Sequence, residues 1–420
     1  MHLTDGANAH VQLFFELRAF VMDGAAHKYL WHCKGDAGLK PCMLCLNLYT
    51  RQSGVAQEDG TRLLVCDAID EGGLKIATDA QVRGTVNRLA VRSTTDEPSL
   101  FLKRETAVGF RHEPYSLLLM PELADVVRPV SQFCHDPQHT IFVNGVFNTV
   151  LYLVLESLHV NGMRVYEAVR KFLEGWSWPS RVWNPGLAAV FSPVRVKSWR
   201  KSHRVACTAS EGLSLLSPLM YFVHIHVLPT GRCVNACHAF LALGEVVDCL
   251  QNIPAGRTSA TSLSTSISQF LRLVKRAGWE DWCHPKFHWM VHLPSHLRKF
   301  GCIPTCWSLE RKHRCAKRYA NDVRDTRRFD HSVLSEVTCH HLALLDHAEL
   351  ACPLGLISPH AAPQRLRQFL SGEFDILDDI PVLCSKTAHF SDSDILHERD
   401  VVLFEENGSL GAGEVWFWQL

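Results

Sequence analysis

Cys42 and Cys45, in PCMLC, stand at the spacing that supplies one half of a tetrahedral zinc site. Two more ligands are needed, and the chain has no second Cys-x-x-Cys. The nearby candidates are His32, Cys33 and the group Cys134, His135, Asp136 and His139. The plainer alternative is a tight turn holding two cysteines and no metal. Asp136-Pro137-Gln138-His139 can likewise be a helix start, with Asp136 as N-cap and Pro137 in the first turn. It can also be a metal-binding Asp/His pair. His284, His288, His292 and His296 recur every fourth residue. Pro285 and Pro294 interrupt that run, leaving His288 and His292 to share one helix, where an i, i+4 pair can chelate a metal. No glutamate lies between them, so the metalloprotease pattern is absent, and packed, hydrogen-bonded histidines are the simpler expectation.

Two isolated acids complete the inventory. Asp23 ends an apolar, strand-like run, and a carboxylate just past a strand's C-terminal end is well placed for metal chemistry. Glu310, in WSLERK, shares a helical face with Arg314 and Lys317. That pattern suits an exposed helix with a Glu–Arg pair, or a metal-binding acid flanked by cations that grip phosphates.

The elements that must position these groups are partly legible. Residues 11–23 read as a strand-like run and Ala25–Trp31 as a helix start. Residues 60–130 read as irregular with some helix. His139–Leu158 is apolar nearly all round and predicts a buried helix closed by Asn161-Gly162. Helical periodicity then runs through Ser210–His226, Ala236–Gln251 and Ser262–Ala277, with 252–261 as a linker. Further helices are expected over Pro285–Phe300, Ser308–Asn321 and 331–350. Asp400–Phe404 and Glu414–Trp418 predict a strand pair about Asn407-Gly408.

Composition bounds the class. The 420 residues are 47% hydrophobic and 20% charged, and 43 basic residues balance 43 acidic ones. Any anionic partner must therefore be met by local clusters, at Arg195–Arg204 and Arg298–Arg328. Sixteen cysteines without regular spacing suit a reducing compartment. No signal peptide or membrane span is expected, since the apolar stretch Leu213–Leu228 is short and broken by His224 and His226.

Three blocks in order carry a family resemblance: Phe15–Cys45, with Asp23 before the CxxC; Asp136–Asn148, with the D-x-x-H helix start; and Phe287–Lys317, with histidines, a Gly turn, Trp307 and Glu310-Arg311. Together they resemble CACTA-like (En/Spm-type) DDE DNA transposases. The resemblance implies an α/β fold with a large α-helical part: a partial ribonuclease-H-like core over 1–160 carrying the CxxC and DxxH elements, and a helical insertion over 161–300. A helical return over 301–352 carries Glu310, and an extension over 353–420 holds a small β module. It implies Mg²⁺ (or Mn²⁺) bound by acids, here Asp23, Glu310 and Asp136. The metals would activate the nucleophile and stabilise the leaving oxygen in cleavage and strand transfer on double-stranded DNA. Cys42, Cys45, Asp136 and His139 become the candidate ligands of a structural Zn²⁺. Arg311, Arg314, Lys317, Arg318, Arg200 and Lys201 become the candidate DNA contacts, in a nuclear protein that self-associates, or a cytoplasmic one if inactive. By position Asp23 matches the second acid of the family and Glu310 the last. With only 22 residues before Asp23, the first acid is expected to be missing and the enzyme inactive. Glu211 is a second late acid to consider. The alternatives are a non-enzymatic, zinc-stabilised DNA-binding or interaction protein on the same scaffold, and a hydrolase centred on His288 and His292.

Overall fold

The computed structural model describes residues 2–4, 10–12, 17–48, 55–56, 62–63, 68–178, 186–306, 316–324, 327–345, 355–368, 382–389, 395–397, 401–406, 409–414 and 418–419. They divide into two units, Met1–Glu174 with Leu187–Leu309, and Gly175–Gly186 with Glu310–Leu420.

In the first unit, short strands β1 (His2–Thr4) and β2 (His10–Gln12) pair antiparallel. The strand β3 (Phe20–Met22) leads into helix α1 (Gly24–Trp31). The pair β4 (Val55–Ala56) and β5 (Arg62–Leu63) is followed by helices α2 (Asp79–Arg92) and α3 (Pro98–Val108). The stretch read as irregular is therefore substantially helical. Thr78 and Gln81 form a capping box, and Val82, Val86 and Leu89 put one buried stripe on α2.

Strand β6 (Phe133–His135) then lies parallel to β3, in the register Phe20–Phe133, Val21–Cys134 and Met22–His135. Parallel neighbours need a long crossover, and residues 23–132 provide it. Asp79 fixes the end of that crossover by accepting from the Val130 and Ser131 amides at 2.6 and 2.9 Å.

Beyond β6 the single buried helix expected from the apolar run is two. α4 (Pro137–Ile141) stops, and α5 (Val146–Val160) restarts after Asn144, at φ 46°, and Gly145. A Cβ at Gly145 would stand 2.4 Å from the Thr140 and Ile141 carbonyl oxygens, so only glycine lets the chain turn there. The Asp136 cap, Pro137 in the first turn and the Asn161-Gly162 close are as expected. By composition Pro137–Val160 and Ala209–Thr230 are long and apolar enough to cross a bilayer, but 78% of the first is buried within the protein.

Helices α6 (Val165–Glu174), α7 (Pro193–Ser202), α8 (Ala209–Phe222), α9 (Val234–Gln251) and α10 (Ala260–Arg276) build the helical body. The last three match the expected segments to within two or three residues, apart from the end of α8, where Val223–Val227 continues as a π-turn. The expected helix 285–300 is also two, α11 (Pro285–Met290) and α12 (Leu293–Phe300). Pro294 lacks an amide proton and its ring crowds the carbonyl four residues back, so α12 must begin afresh around it.

The second unit holds α13 (residues 316–322) and α14 (Phe329–Leu345). Eight short strands follow, β7 (Gly355–Leu356), β8 (His360–Ala361), β9 (Leu383–Ser385), β10 (Thr387–His389), β11 (Ile395–His397), β12 (Val401–Glu406), β13 (Ser409–Glu414) and β14 (Trp418–Gln419). They form sheets β11-β10-β7, β14-β9-β8 and β12-β13. The C-terminal β module is thus present, with a correction of register. Glu406 pairs with Ser409, so the return strand begins directly after Asn407-Gly408 rather than at Glu414. Among the described residues, helices dominate both the chain and its core. Among the described strands the only parallel pairing is β3 with β6.

Candidate metal centre and the acid edge beside it

The CxxC finds its partners 243 residues away. Cys42 and Cys45 follow α1 on a bend packed in the core with Trp31, Phe110 and Trp289. Facing them are His288, in the last turn of α11, and His292, the residue before α12. Cys45 Sγ lies 3.1 Å from His288 Nε2, Cys42 Sγ lies 3.5 Å from His292 Nε2, and the two Nε2 atoms are 3.1 Å apart. All four ligand atoms fall within 4.8 Å of one another, and all four side chains are buried. Zinc bound tetrahedrally at about 2.3 Å from sulfur and about 2.0–2.1 Å from nitrogen sets its ligands roughly 3.4–3.8 Å apart. The four residues fit that ion as a closed Cys₂His₂ structural site.

The local electrostatics already favour ligation. The Cys45 thiol is held far below the ordinary thiol range, first by a hydrogen bond from Cys42 and then by the two imidazoles. Burial drives the Cys42 thiol the other way. Burial lowers the His292 imidazole, keeping it in the neutral form that a metal requires.

A second layer of rings surrounds this centre. His135 Nε2 is 3.7 Å from Cys42 Sγ, and the ring stacks on Trp289 at 5.0 Å. The His135 amide donates to His296 Nε2 at 3.2 Å. An imidazole nitrogen that accepts must be unprotonated. Burial, followed by repulsion from neighbouring histidines, indeed lowers His135 well below its usual value, and burial takes His296 to about 3.

One residue beyond His135, the environment changes. Met22 pairs with His135, so Asp23 and Asp136 leave the same carboxyl edge of two parallel strands, about one strand spacing of 4.8 Å apart. Each caps the helix that follows. Asp23 accepts from the Ala26 amide at 2.5 Å. Asp136 accepts from the His139 amide at 2.9 Å, the His139 ring Nδ1 at 2.5 Å and the Cys306 amide at 2.9 Å. Asp23 and His139 open onto a cleft of about 620 Å³ also lined by Lys28, His203, Arg204, Asp281 and Trp282. Lys286 lies on its wall with its ammonium donating to the His139 and Val143 carbonyls.

The remaining sequence candidates separate. His32 ends α1 in the left-handed conformation, Cys33 Sγ donates to the His27 carbonyl and Cys134 Sγ to the His135 carbonyl. None of them joins Cys42 and Cys45. Asp136 and His139 lie together, but in a group of their own, which corrects their assignment to the CxxC. His284 contacts Thr149 Oγ1 at 3.3 Å. Glu211 is the capping-box acid of α8, accepting from the Thr208 amide at 2.7 Å, and its surroundings are helical. Arg200 is engaged by Glu156 at 3.2 Å and lies over the Tyr166 ring, while Lys201 is exposed beside it. Lys317 and Arg318 are exposed on α13, and Glu310, Arg311 and Arg314 lie outside the described residues. Full burial of His288 and His292 against two cysteines removes the open coordination position that a histidine-centred hydrolase needs.

The ligands that sequence reasoning missed were both in view. Cys-x₂-Cys and His-x₃-His are complementary halves of one Cys₂His₂ site. Their separation hid the match. No protein-family model, curated protein or solved structure matches the chain.

Proposed function

We propose that this chain is the body of a DDE-type DNA strand transferase related to CACTA-like transposases, with a ribonuclease-H-like acid edge stabilised by a Cys₂His₂ zinc centre. One observation carries the reading: two adjacent parallel strands each end in an aspartate at one edge, and Asp23 lines a cleft that also holds Lys28, Arg204 and Lys286. On this reading Asp23 and Asp136 are two of the family's acids, while Glu310, matched by the resemblance alone, lies outside the described residues. Divalent cations such as Mg²⁺ or Mn²⁺ held by these carboxylates would supply Lewis-acid stabilisation of charge on a phosphodiester. The chain's own residues do the rest. Lys28, Arg204 and Trp282 line the cleft; on this reading the two cations would meet backbone phosphates and the Trp282 ring an unstacked base. Duplex DNA as the partner, residence in the nucleus and self-association at paired DNA ends belong to the same reading.

Incubating the purified full chain with supercoiled plasmid and Mg²⁺ or Mn²⁺ tests it. Metal-dependent nicking is expected. Asp23→Asn or Asp136→Asn should each reduce the rate at least about 100-fold, or about 2.7 kcal/mol of barrier. Nicking that ignores both substitutions, or no nicking at all, contradicts the proposal.

A second reading has its own support. Both aspartates are occupied as helix caps, and Asp136 accepts three hydrogen bonds, as expected of a structural carboxylate. A non-enzymatic, zinc-stabilised DNA-binding protein would then bind duplex with an affinity that falls steeply with salt, without cleavage. Binding that is flat across a salt series would remove it.

A further inference from the structure

The group that Asp136 and His139 form is completed by a residue from a distant segment. Cys306 follows α12 and its loop, 170 residues on from Asp136, and its amide is docked on the Asp136 carboxylate at 2.9 Å. The carboxylate, the His139 imidazole and the Cys306 sulfur offer three ligand atoms within 4.8 Å of one another. Asp136 and Cys306 are buried, whereas the His139 side chain keeps 16% of its surface and lines the large cleft. Asp136 and His139 also border a small cavity of about 30 Å³, room enough for a water molecule. His27 borders the same cavity. Its Nε2 is held by the Cys134 carbonyl, while its Nδ1 is buried and has no hydrogen-bond partner among the described residues. An orphaned buried nitrogen is costly unless something in that cavity meets it.

We infer that Asp136, His139 and Cys306 form a second metal site, three protein ligands with a further position on the cavity side, selective for a transition-metal dication of the Zn²⁺ class. The donor set decides the class. Mg²⁺ takes hard oxygen ligands, whereas imidazole and thiolate select zinc and its neighbours. The number of ligands decides the type, because closed four-ligand sites are structural and three-ligand sites leave a position for water or substrate. Cys42, Cys45, His288 and His292 make the first kind, and this group makes the second. The Asp136 oxygens accept from two backbone amides, at His139 and Cys306, and that fixes the carboxylate's orientation before any ion arrives. The inference concerns metal binding alone; it commits Asp136 to a zinc-class ion and so stands as an alternative to Asp136 as a Mg²⁺ ligand in the phosphodiester reading.

Metal content of the purified full chain, with Co²⁺ titration of the metal-stripped protein, tests it without any DNA. Two zinc ions per chain are expected. Cobalt should fill two sites, one with charge-transfer absorption from two thiolates and the other with about half that intensity from one. His139→Ala and Cys306→Ala should each leave the two-thiolate site filled. They should weaken the other by more than the roughly 10–100-fold that losing even an outer-shell partner costs. One metal per chain in the unaltered protein overturns the inference, whatever the variants do to folding. So does a second equivalent that survives both substitutions.

Discussion

The ring layer around the Cys₂His₂ centre and the acid edge meet at the end of β6, where His135 belongs to the first and Asp136, the next residue, to the second, yet the two are built on opposite principles. His135 is wholly enclosed, stacked on Trp289 and close to Cys42, with its imidazole neutral by burial. Asp136, the next residue, reaches the partly exposed His139 that opens on the cleft. A strand alternates its side chains between faces, so one short strand can serve a closed core on one side and a reactive edge at its end. The contrast teaches a division of labour. The enclosed centre brings residues 42–45 and 288–292 together, whereas at the strand ends Asp23 and Asp136 are taken up as caps of the helices that follow.

Substitutions and solution conditions should separate the two. The largest effect belongs to the enclosed centre. Structural zinc sites contribute apparent binding energies of about 10–16 kcal/mol to folding. Cys45→Ala or His292→Ala should therefore abolish the cooperative thermal transition of the first unit, and a strong chelator should do the same to the unaltered protein. A transition that survives all three would mean the cluster is ordinary core packing.

Acid should come next. The folded His27 and His296 have values lowered to about 4 and about 3 by burial. Below pH 6.5 the unfolded chain therefore binds protons that the folded chain refuses, and stability falls as pH falls. Two such groups cost about 1.4 kcal/mol each per pH unit, roughly 4 kcal/mol together by pH 5. Urea unfolding at pH 7, 6 and 5 measures this, and a midpoint constant across that range would contradict it.

Smaller effects should distinguish the two aspartates. Asp136→Ala removes a buried acceptor of three hydrogen bonds and should destabilise the protein by about 3 kcal/mol. Asp23→Ala removes an N-cap from a half-buried position and should cost only about 1 kcal/mol. Equal losses in chemical denaturation would erase the difference in burial on which the comparison rests.

How much of this was legible follows from the range of each signal. Asp136 as cap, Pro137 in the first turn and the three helices between Ala209 and Arg276 rest on contacts within a few residues, and sequence carries those directly. The break at Asn144-Gly145 was visible as residues but not as an interruption, because the apolar run continues through it; Pro294 was read as an interruption, but the break it causes falls before it, so His288 and His292 lie on either side of the break rather than on one helix. The pairing of β3 with β6 had no local sign, since Phe20–Met22 and Phe133–His135 are three residues each and their register is a tertiary fact. The metal centre was half legible: each pair announced a ligand spacing, but joining Cys45 to His288 requires knowing that α11 folds back over the bend after α1. Glu310 stands outside the described residues, so the sequence alone still speaks for it.

Cys42, Cys45, His288 and His292, drawn from distant segments, fit the shell of one zinc ion. Zinc X-ray absorption on the full chain loaded with a single equivalent of Zn²⁺ reads that shell directly. Two sulfurs at about 2.3 Å and two imidazole nitrogens at about 2.0–2.1 Å are expected. A shell of oxygen and nitrogen without sulfur, or a chain that retains no zinc, would contradict it.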